Sequence, residues 1–424
     1  MKYKITGGTV LLMNENAVFS PVETDVYVAD GKIAHVGTLA DDTGYETVNA
    51  NGLLVMPGLV NMHTHAYMSF MRCRADDLSF DDWLFRRVMP IEDAMTGEDA
   101  YWSALFGCME MISTGTTSLT DMHMFKGDVP RAIKDAGIRA TIGRGLVGED
   151  LTTDGASRFR EAMEEMQEYR SDRLDFILAP HSIYTCSERL LRQVNDQAKA
   201  LSLSKEIHLA ESEKEYADCV ASRGKSPVEY LADIGFLDDK TLLAHCVQLH
   251  GDDYRILAGS GAYVVTNPVS NAKLYNGAAN YAQMREYGLR LCIGTDGAAS
   301  NNTQNLFHEM NFFSLLHKAE TRSPLIATAQ DVLRMATLHA GEALGKPIGL
   351  IRKGYLADLT FLDMNAFSLM PANDLASALV YAANGSEVHS VMVGGEFVYR
   401  KKEFTTVDRD RVLYEVARIA KKYQ

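Results

Sequence analysis

The sequence predicts an α/β fold whose main body is a (β/α)8 TIM-like barrel, and two observations support this prediction. Eight apolar, strand-like runs recur in the middle of the 424-residue chain, with amphipathic stretches of helical length, such as SRFREAMEEMQEYR, between several of them. Strands that alternate with helices form parallel sheets, and eight such units close a barrel. Seven of the eight runs also end in polar residues, as expected where barrel strands converge on an active site.

The span of these runs also suits one barrel. His63, in the first run, and Asp296, in the last, are 233 residues apart, close to the ~250 residues of a typical barrel. In chain order the runs are GLVNMHTH (58–65), TTSLTDMH (116–123), RATIGRGLV (139–147), DFILAPHSIY (175–184), EIHLAES (206–212), TLLAHCVQL (241–249), AYVVTNPVSN (262–271) and LRLCIGTDG (289–297).

The two chain ends contain short alternating runs instead. In DVYVADGKIAHVG two such runs flank Asp30-Gly31, and in VHSVMVGGEFVYR a second pair flanks Gly394-Gly395. Both dipeptides favour tight hairpin turns. We therefore expect a small β-sandwich domain built from residues 1–56 and 347–424, with the catalytic barrel over residues 57–346.

Composition restricts the partners of the chain. Its formal net charge of −14 argues against electrostatic binding to nucleic acid or to anionic lipid. The N-terminus lacks the apolar region of a signal peptide, and no run approaches the ~18 apolar residues that a membrane span needs. The six cysteines are dispersed without a CxxC pair, which favours free thiols in a reducing compartment. We expect a cytoplasmic protein with a small-molecule substrate and neither a nucleic-acid nor a membrane partner.

A metal site is predicted where the first, fifth and eighth runs end. His63 and His65 share one face of a strand because residues two apart point to the same side. Since 12 histidines produce an HxH by chance roughly 0.3 times per chain, this pair alone says little. His208 and Asp296 extend the set to three imidazoles and a carboxylate, which suits one Zn²⁺, or Fe²⁺ or Mn²⁺, with room for a water molecule.

Two further residues supply acid–base groups beside this site. An ion held by such ligands lowers the pKa of water toward neutrality, and hydrolysis then needs an acid–base group that is not a ligand. Glu211 lies three residues after His208, and His245 ends the sixth run. We expect His245 to hydrogen-bond the attacking group or to stabilise the charge that develops.

This order of residues resembles the amidohydrolase superfamily and, within it, the methylthioadenosine/S-adenosylhomocysteine deaminases. The fourth run has no lysine, whereas binuclear members usually carry a bridging lysine there, so the resemblance implies one metal ion per subunit. The HxE and PCxxC signature of the other zinc deaminases is also absent. The stretches that carry the resemblance are DLSFDDWLFRRVMPIED (77–93), RGLV (144–147), APHSIYTCS (179–187), HLAESEKE (208–215), AHCVQL (244–249), NPVSNAKL (267–274) and GTDGAASNN (294–302).

The resemblance implies a catalytic role for each matching residue. Glu211 would protonate purine N1 as water attacks C6, and Asp296 would take the proton of the water and help ammonia leave. His245 would position and stabilise the attack. The metal ligands would be His63, His65, His208 and Asp296.

The resemblance also implies substrate contacts. Glu92 would hold the ribose hydroxyls, and His181 would contact the substrate from the fourth strand. Arg144 and Arg158 are candidates for the amino-acid carboxylate of S-adenosylhomocysteine. The remaining candidates are a residue of the pocket wall and a residue near the base: Trp83 and Ser300.

Some of these assignments have alternatives. Glu92 could be a charge near a helix N-terminus, where an acid favours the helix dipole, and Arg158 could be a solvated partner of its acidic helix neighbours. His123 stands where the family has an aromatic residue; if its side chain faces the pocket, the rim differs there and the thioether end of the substrate is bound differently. Five histidines are interpreted as structural or surface residues: His123, His250, His308, His317 and His339.

The implied activity is that of a hydrolase acting on the C–N bonds of cyclic amidines. It would convert S-adenosylhomocysteine, 5′-methylthioadenosine and adenosine to the inosine forms plus ammonia, and a homo-oligomer is expected. One alternative is a related aminohydrolase acting on a free nucleobase, pterin or triazine, against which Glu92 argues because a free base has no ribose. A remote alternative is a non-catalytic barrel scaffold, which would not need the complete ligand set.

Overall fold

The first strands of the chain belong to two small sheets rather than to the barrel. The computed structural model describes residues 1–14, 17–152 and 156–424. The predicted hairpin at Asp30-Gly31 is confirmed, with both residues in the left-handed region that a tight two-residue turn requires (φ 51° and 75°). These strands are β1 (Lys2–Thr6), β2 (Thr9–Met13), β3 (Phe19–Glu23), β4 (Val26–Ala29), β5 (Lys32–Val36), β6 (Glu46–Asn49) and β7 (Leu53–Pro57).

The central strands coincide with the eight predicted runs, and the fourth run is split into two short strands. Neighbouring strands pair in parallel, and most of their residues are buried on both faces, as apolar runs enclosed by helices should be. These strands are β8 (Leu59–Thr64), β9 (Thr116–His123), β10 (Arg139–Leu146), β11 (Leu174–Phe176), β12 (Ala179–Pro180), β13 (Lys205–Leu209), β14 (Thr241–His245), β15 (Tyr263–Thr266) and β16 (Arg290–Ile293).

Two seams close these strands into a ring. The series β8 to β12 meets β13 through parallel bridges from Leu178 to Lys205 and from Ser182 to His208. At the other seam the backbone N–H of Asp296, just beyond β16, donates to the carbonyl of His63 in β8 over 2.9 Å. The predicted (β/α)8 barrel is therefore confirmed.

The last four strands join one of the two sheets at the chain ends: β17 (Leu359–Asp363), β18 (Val388–Val393), β19 (Glu396–Arg400) and β20 (Glu403–Phe404). One sheet has the order β5-β4-β1-β6, and the other joins both ends of the chain in the order β20-β19-β18-β17-β7-β2-β3. The hairpin at Gly394-Gly395 is confirmed between the second and third of these C-terminal strands. Residues such as Ile5, Val28 and Phe361 form a core of their own between the sheets.

Helices surround the barrel, and the segment after β8 crosses its mouth. That segment contains a 3₁₀ turn over Ala66–Met71 and a π-helical stretch over Asp82–Val88. None of the helices described is long and apolar enough to cross a membrane. The helices are α1 (Met89–Ala94), α2 (Gly97–Ser113), α3 (Asp128–Ala136), α4 (Ala156–Tyr169), α5 (Glu188–Leu201), α6 (Glu213–Arg223), α7 (Pro227–Asp233), α8 (Asp253–Ser260), α9 (Pro268–Lys273), α10 (Tyr281–Glu286), α11 (Leu306–Thr321), α12 (Ala329–Met335), α13 (Leu338–Ala343), α14 (Leu375–Tyr381) and α15 (Arg409–Lys422).

Candidate metal and substrate site

Three histidines from two strands meet at the carboxyl-terminal mouth of the barrel. His63 and His65 come from the end of β8, and His208 comes from β13. One ring nitrogen of each lies within 4.8 Å of the others, and all three side chains are buried. Strand alternation places the first two on one face, and closure of the barrel brings the third to them from another strand.

Asp296 joins these histidines from the end of β16. Its Oδ1 lies 3.6 Å from Nε2 of His63 and 3.5 Å from Nε2 of His65. Gly294 permits this approach, because a Cβ at that position would lie 2.7 Å from the backbone nitrogen of His63 and from Oδ1 of Asn267. Asp296 itself has φ 63°, in the left-handed region that aspartate tolerates better than most residues.

The surroundings of Asp296 favour its charged form. Its Oδ2 accepts hydrogen bonds from the hydroxyls of Ser270 (2.7 Å) and Ser300 (2.8 Å). Burial alone would raise the pKa of this carboxyl group, but the imidazoles of His245 and His65 and the bond from Ser270 lower the pKa below its usual range. A carboxylate that stays ionised is able to bind a cation and to accept a proton.

The outer nitrogen of each histidine is tied to an acceptor. Nδ1 of His65 bonds the carbonyl of Met122, and Nδ1 of His208 bonds the carbonyl of His181, each over 2.7 Å. Because a carbonyl only accepts, these Nδ1 atoms carry hydrogens and the Nε2 atoms are lone-pair donors. The two Nε2 atoms face each other at 3.2 Å, a separation that neutral lone pairs do not favour without a cation between them.

The third ring, that of His63, also has a nitrogen available to bind a metal ion. Nε2 of His63 is buried and has no hydrogen-bond partner in the described part of the chain. Burial lowers the pKa of His63 to about 4, so the ring is neutral near pH 7, which is the form that binds metals. Three neutral imidazoles and one carboxylate suit a divalent metal ion.

Glu211 and His245 lie beside this set and interact with each other. Oε1 of Glu211 is 3.8 Å from Nε2 of His245 and accepts a hydrogen bond of 3.3 Å from Asn276. Burial raises the pKa of Glu211 above its ordinary value. Burial alone would lower the pKa of His245, but the carboxylates of Glu211 and Asp296 raise it. Nδ1 of His245 is 2.8 Å from Oδ1 of Asn271.

Backbone strain accompanies these two residues. Ala210, between β13 and Glu211, has φ 50°, and His245 has φ 75°. Left-handed conformations of such residues are uncommon and gather at functional sites. The buried side chain of Glu215 holds the first of these turns, because its two oxygens accept the backbone N–H groups of Ala210 and Glu211 over 3.1 and 2.8 Å.

On one side of the histidines the structure places His181, Glu92 and Tyr67. The ring of His181 lies 4.8 Å from that of His208. Tyr67 lies 6.3 Å from His65, ring to ring, and its hydroxyl donates to Oε1 of Glu92 in α1. Burial raises the pKa of Glu92 to about 7. The sequence did not single out Tyr67, although its place two residues after His65 was a usable signal.

The two candidate arginines have different surroundings. Nη2 of Arg144 pairs with Glu161 at 2.5 Å, while its buried Nε and Nη1 have no hydrogen-bond partner within the described ranges. Nη1 of Arg158 points inward to the carbonyl of Gly145 (3.2 Å), so Arg158 is not simply a solvated surface partner. Burial and the positive charge of Arg144 lower the pKa of Arg158, whereas the carboxyl group of Glu92 acts to raise it.

Ser300 lies in the turn that follows Asp296, and Trp83 contacts that turn from the π-helical stretch. The indole N–H of Trp83 donates to the carbonyl of Ala299 over 3.0 Å, and this ring is buried. Ser300 hydrogen-bonds Asp296, as described above. The bond from Trp83 attaches the π-helical stretch to the turn that carries the carboxylate.

His123 is buried, and one of its two ring nitrogens is hydrogen-bonded to a backbone carbonyl. Its Nδ1 is 3.1 Å from the carbonyl of Phe125, and its Nε2 is 3.5 Å from Oε2 of Glu165. Burial lowers the pKa of His123 to about 3 and raises that of Glu165 to about 7. Nε2 of His123 has no hydrogen-bond partner in the described residues, and the structural interpretation of His123 stays a prediction.

A cavity of about 400 Å³ adjoins the site. It is lined by Phe80 from the crossing segment and by Tyr184 and Ser212 from the loops after the fourth and fifth strands. The ring of Tyr184 lies 5.9 Å from that of His181. Among the described residues, none of the candidate site residues lines the cavity, which approaches His181 through Tyr184.

Known proteins share both the sequence and the architecture. The chain matches the amidohydrolase family over residues 54–398. It is 38% identical over 426 residues to the 5-methylthioadenosine/S-adenosylhomocysteine deaminase of Acetivibrio thermocellus, covering 97% of this chain and 99% of that protein. It is 38% identical over 392 residues to the 5′-deoxyadenosine deaminase of Methanothermobacter thermautotrophicus, covering 92% of each. The structure of an adenosine deaminase from Xanthomonas campestris with bound zinc has a TM-score of 0.94 at 29% identity, covering 99% of this chain and 98% of that one. The chain belongs to the amidohydrolase family.

Proposed function

We infer that this amidohydrolase is a hydrolytic deaminase of adenine nucleosides, releasing ammonia and the inosine form of each substrate. The observation that carries this inference is the convergence of His63, His65, His208 and Asp296 beside Glu211 and His245. Relatives of nearly the same length are named as deaminases of 5-methylthioadenosine, S-adenosylhomocysteine and 5′-deoxyadenosine. The substrates proposed here are therefore S-adenosylhomocysteine, 5′-methylthioadenosine and related adenosines.

The proposed metal is one zinc ion per subunit, with Fe²⁺ and Mn²⁺ as alternatives. Support comes from the donor set of three imidazole nitrogens and one carboxylate, and from the unpaired Nε2 of His63. When bound, the ion supplies Lewis acidity and lowers the pKa of water. The ligands proposed are His63, His65, His208 and Asp296.

The proton transfers are assigned to residues of the chain. Glu211 gives a proton to purine N1, which its raised pKa supports because the acid form persists to higher pH. Asp296 accepts a proton from water and passes it to the departing amino group. Over the whole cycle, one water hydrogen ends on ammonia and the other replaces the proton that Glu211 gave. His245 hydrogen-bonds the oxygen that bears the negative charge developing at C6.

Substrate binding is assigned to the side of the site near His181. Glu92, held by Tyr67, is proposed to accept the hydrogen bonds of the ribose hydroxyls. His181 contacts the substrate, and Arg144 and Arg158 are the candidates for a substrate carboxylate. Trp83 and Ser300 are proposed to complete the wall and to lie near the base.

The remaining proposals concern the organisation of the protein. Residues 57–346 are proposed as the catalytic barrel, and residues 1–56 with 347–424 as the β-sandwich domain. A cytoplasmic homo-oligomer without nucleic-acid or membrane partners stays a prediction from the sequence and its resemblance.

Ammonia release by zinc-loaded protein tests the function. The panel consists of S-adenosylhomocysteine, 5′-methylthioadenosine, 5′-deoxyadenosine and adenosine, with adenine, guanine and cytosine as free-base controls. Turnover confined to the nucleosides supports the proposal. Turnover of free bases alone would favour the aminohydrolase alternative, and a protein that neither binds metal nor releases ammonia would favour the scaffold.

A further inference from the structure

A second ionisable residue on β13 points into the barrel below His208. The strand reads Lys-Glu-Ile-His-Leu, and residues two apart share a face. Nζ of Lys205 bonds Asn195 and Asp238 outside the barrel, over 2.7 and 2.8 Å. Glu206 therefore lies on the same inward face as His208, and its side chain has no exposed surface.

Glu206 contacts the outer nitrogen of a metal-ligand candidate on another strand. Its Oε1 lies 2.8 Å from Nδ1 of His63. The corresponding nitrogens of His65 and His208 bond backbone carbonyls, of Met122 and His181. Of the three histidines, His63 is thus the one held by a carboxylate.

Within the described residues, Glu206 and His63 each have one polar side-chain atom without a hydrogen bond. Oε2 of Glu206 and Nε2 of His63 are buried and have no hydrogen-bond partner in the residues that the structure describes. His63 is also the one ion-pair partner found for Glu206 within those residues. An acidic side chain buried with an unpaired oxygen costs free energy of folding, and the cost is greatest in its ionised form. A cation bound at Nε2 of His63 would offset this cost, since it would place positive charge on the imidazole that faces Glu206.

We propose that Glu206 is a positioning residue for the metal, holding His63 with its hydrogen on Nδ1 and its lone pair on Nε2 directed at the ion. The carboxylate also makes the imidazole a stronger donor. The proposal rests on the proposed metal site and adds a residue behind the ligands. Its consequence is that Glu206 serves metal affinity and does not stabilise the metal-free fold.

The test compares zinc affinity with stability in metal-free protein. Zinc dissociation constants are measured by competition with a chromogenic chelator, and unfolding of the metal-free proteins is followed by heating. Glu206→Gln keeps the shape and a hydrogen-bond acceptor but removes the charge. It should weaken zinc binding about 10- to 100-fold, while the metal-free variant unfolds at the same or a higher temperature. Glu206→Ala, which also removes the acceptor, should weaken zinc binding further.

Glu309→Gln is the matched control. Glu309 is also fully buried, and its oxygens accept from Asn301 and from the backbone of Val269 rather than from a ligand imidazole. Its zinc affinity should stay within twofold of the wild type. Zinc affinity of Glu206→Gln within twofold of wild type, or reduced no more than in the control, would overturn the proposal whatever the stability.

The zinc-affinity test can fail or succeed independently of the proposed deaminase function. A wild-type protein that binds zinc but deaminates no nucleoside would refute the function and leave the role of Glu206 to be decided by the affinities. If the wild type deaminates nucleosides but Glu206→Gln binds zinc as tightly as the wild type, this inference alone would be refuted.

Discussion

Oε1 of Glu211 lies 3.8 Å from Nε2 of His245, and the two groups reach this position from the ends of neighbouring strands. Each alters the protonation of the other. The charge of Glu211 raises the pKa of His245, and His245 opposes the effect of burial on the pKa of Glu211. The residue proposed to donate a proton and the residue proposed to stabilise negative charge are thus held side by side, next to the candidate metal ligands.

The alkaline limb of the pH profile should report Glu211. Because Glu211 is proposed to donate to the purine in its acid form, kcat/KM should fall as the pH rises through its pKa, which burial has raised. The bond from Asn276 acts in the opposite direction, since it favours the ionised form. In Asn276→Ala the alkaline limb should move to higher pH. Profiles measured with 5′-methylthioadenosine check this, and a limb that stays in place or moves to lower pH would argue against Glu211 as the donor.

Glu92 should matter for the turnover of nucleosides. Losing a hydrogen bond to a charged group costs about 1.5–3 kcal/mol, so Glu92→Ala should lower kcat/KM for 5′-methylthioadenosine roughly 10- to 100-fold. The neighbouring Asp93→Asn, whose side chain is exposed, is the matched control and should be near wild type. Steady-state kinetics measure both. Equal kinetics in Glu92→Ala and wild type would remove the ribose assignment.

Gly294 should be required for the metal set. A Cβ there would lie 2.7 Å from the backbone nitrogen of His63, so Gly294→Ala must displace β16 from β8 and with it Asp296. Zinc affinity should fall at least tenfold, about 1.4 kcal/mol. Gly259→Ala, in α8 with no atom within 4 Å of the added Cβ, should leave zinc affinity unchanged. Titration with zinc measures both variants, and undiminished affinity in Gly294→Ala would show that this close approach is not needed.

Much of the barrel could be predicted because its signals are local. Apolar runs ending in polar residues marked the strands, and strand periodicity placed His63 beside His65. The break of the fourth run into β11 and β12 was not visible, since both short strands lie in one continuous apolar stretch. The hairpins at Asp30-Gly31 and Gly394-Gly395 could be predicted because their turn type depends on the two central residues.

The contacts behind the predicted site residues could not be predicted in the same way. The pair of Glu206 and His63 joins the first and fifth strands across the barrel interior, and the pair of Arg144 and Glu161 joins a strand to a helix. Such contacts depend on the tilt and register of the closed barrel, which single-strand periodicity does not specify. Tyr67 likewise reaches Glu92 only because the segment after β8 crosses the mouth.

The most direct test of the central claim is ammonia release from 5′-methylthioadenosine by wild type and Glu211→Gln at equal zinc content. The account predicts one ammonia for each inosine-form product in the wild type. In Glu211→Gln kcat should fall about 10²- to 10⁴-fold, the contribution of a positioned acid–base group, with zinc still bound. Wild-type rates in the variant, or no ammonia from the zinc-loaded wild type, would contradict the account.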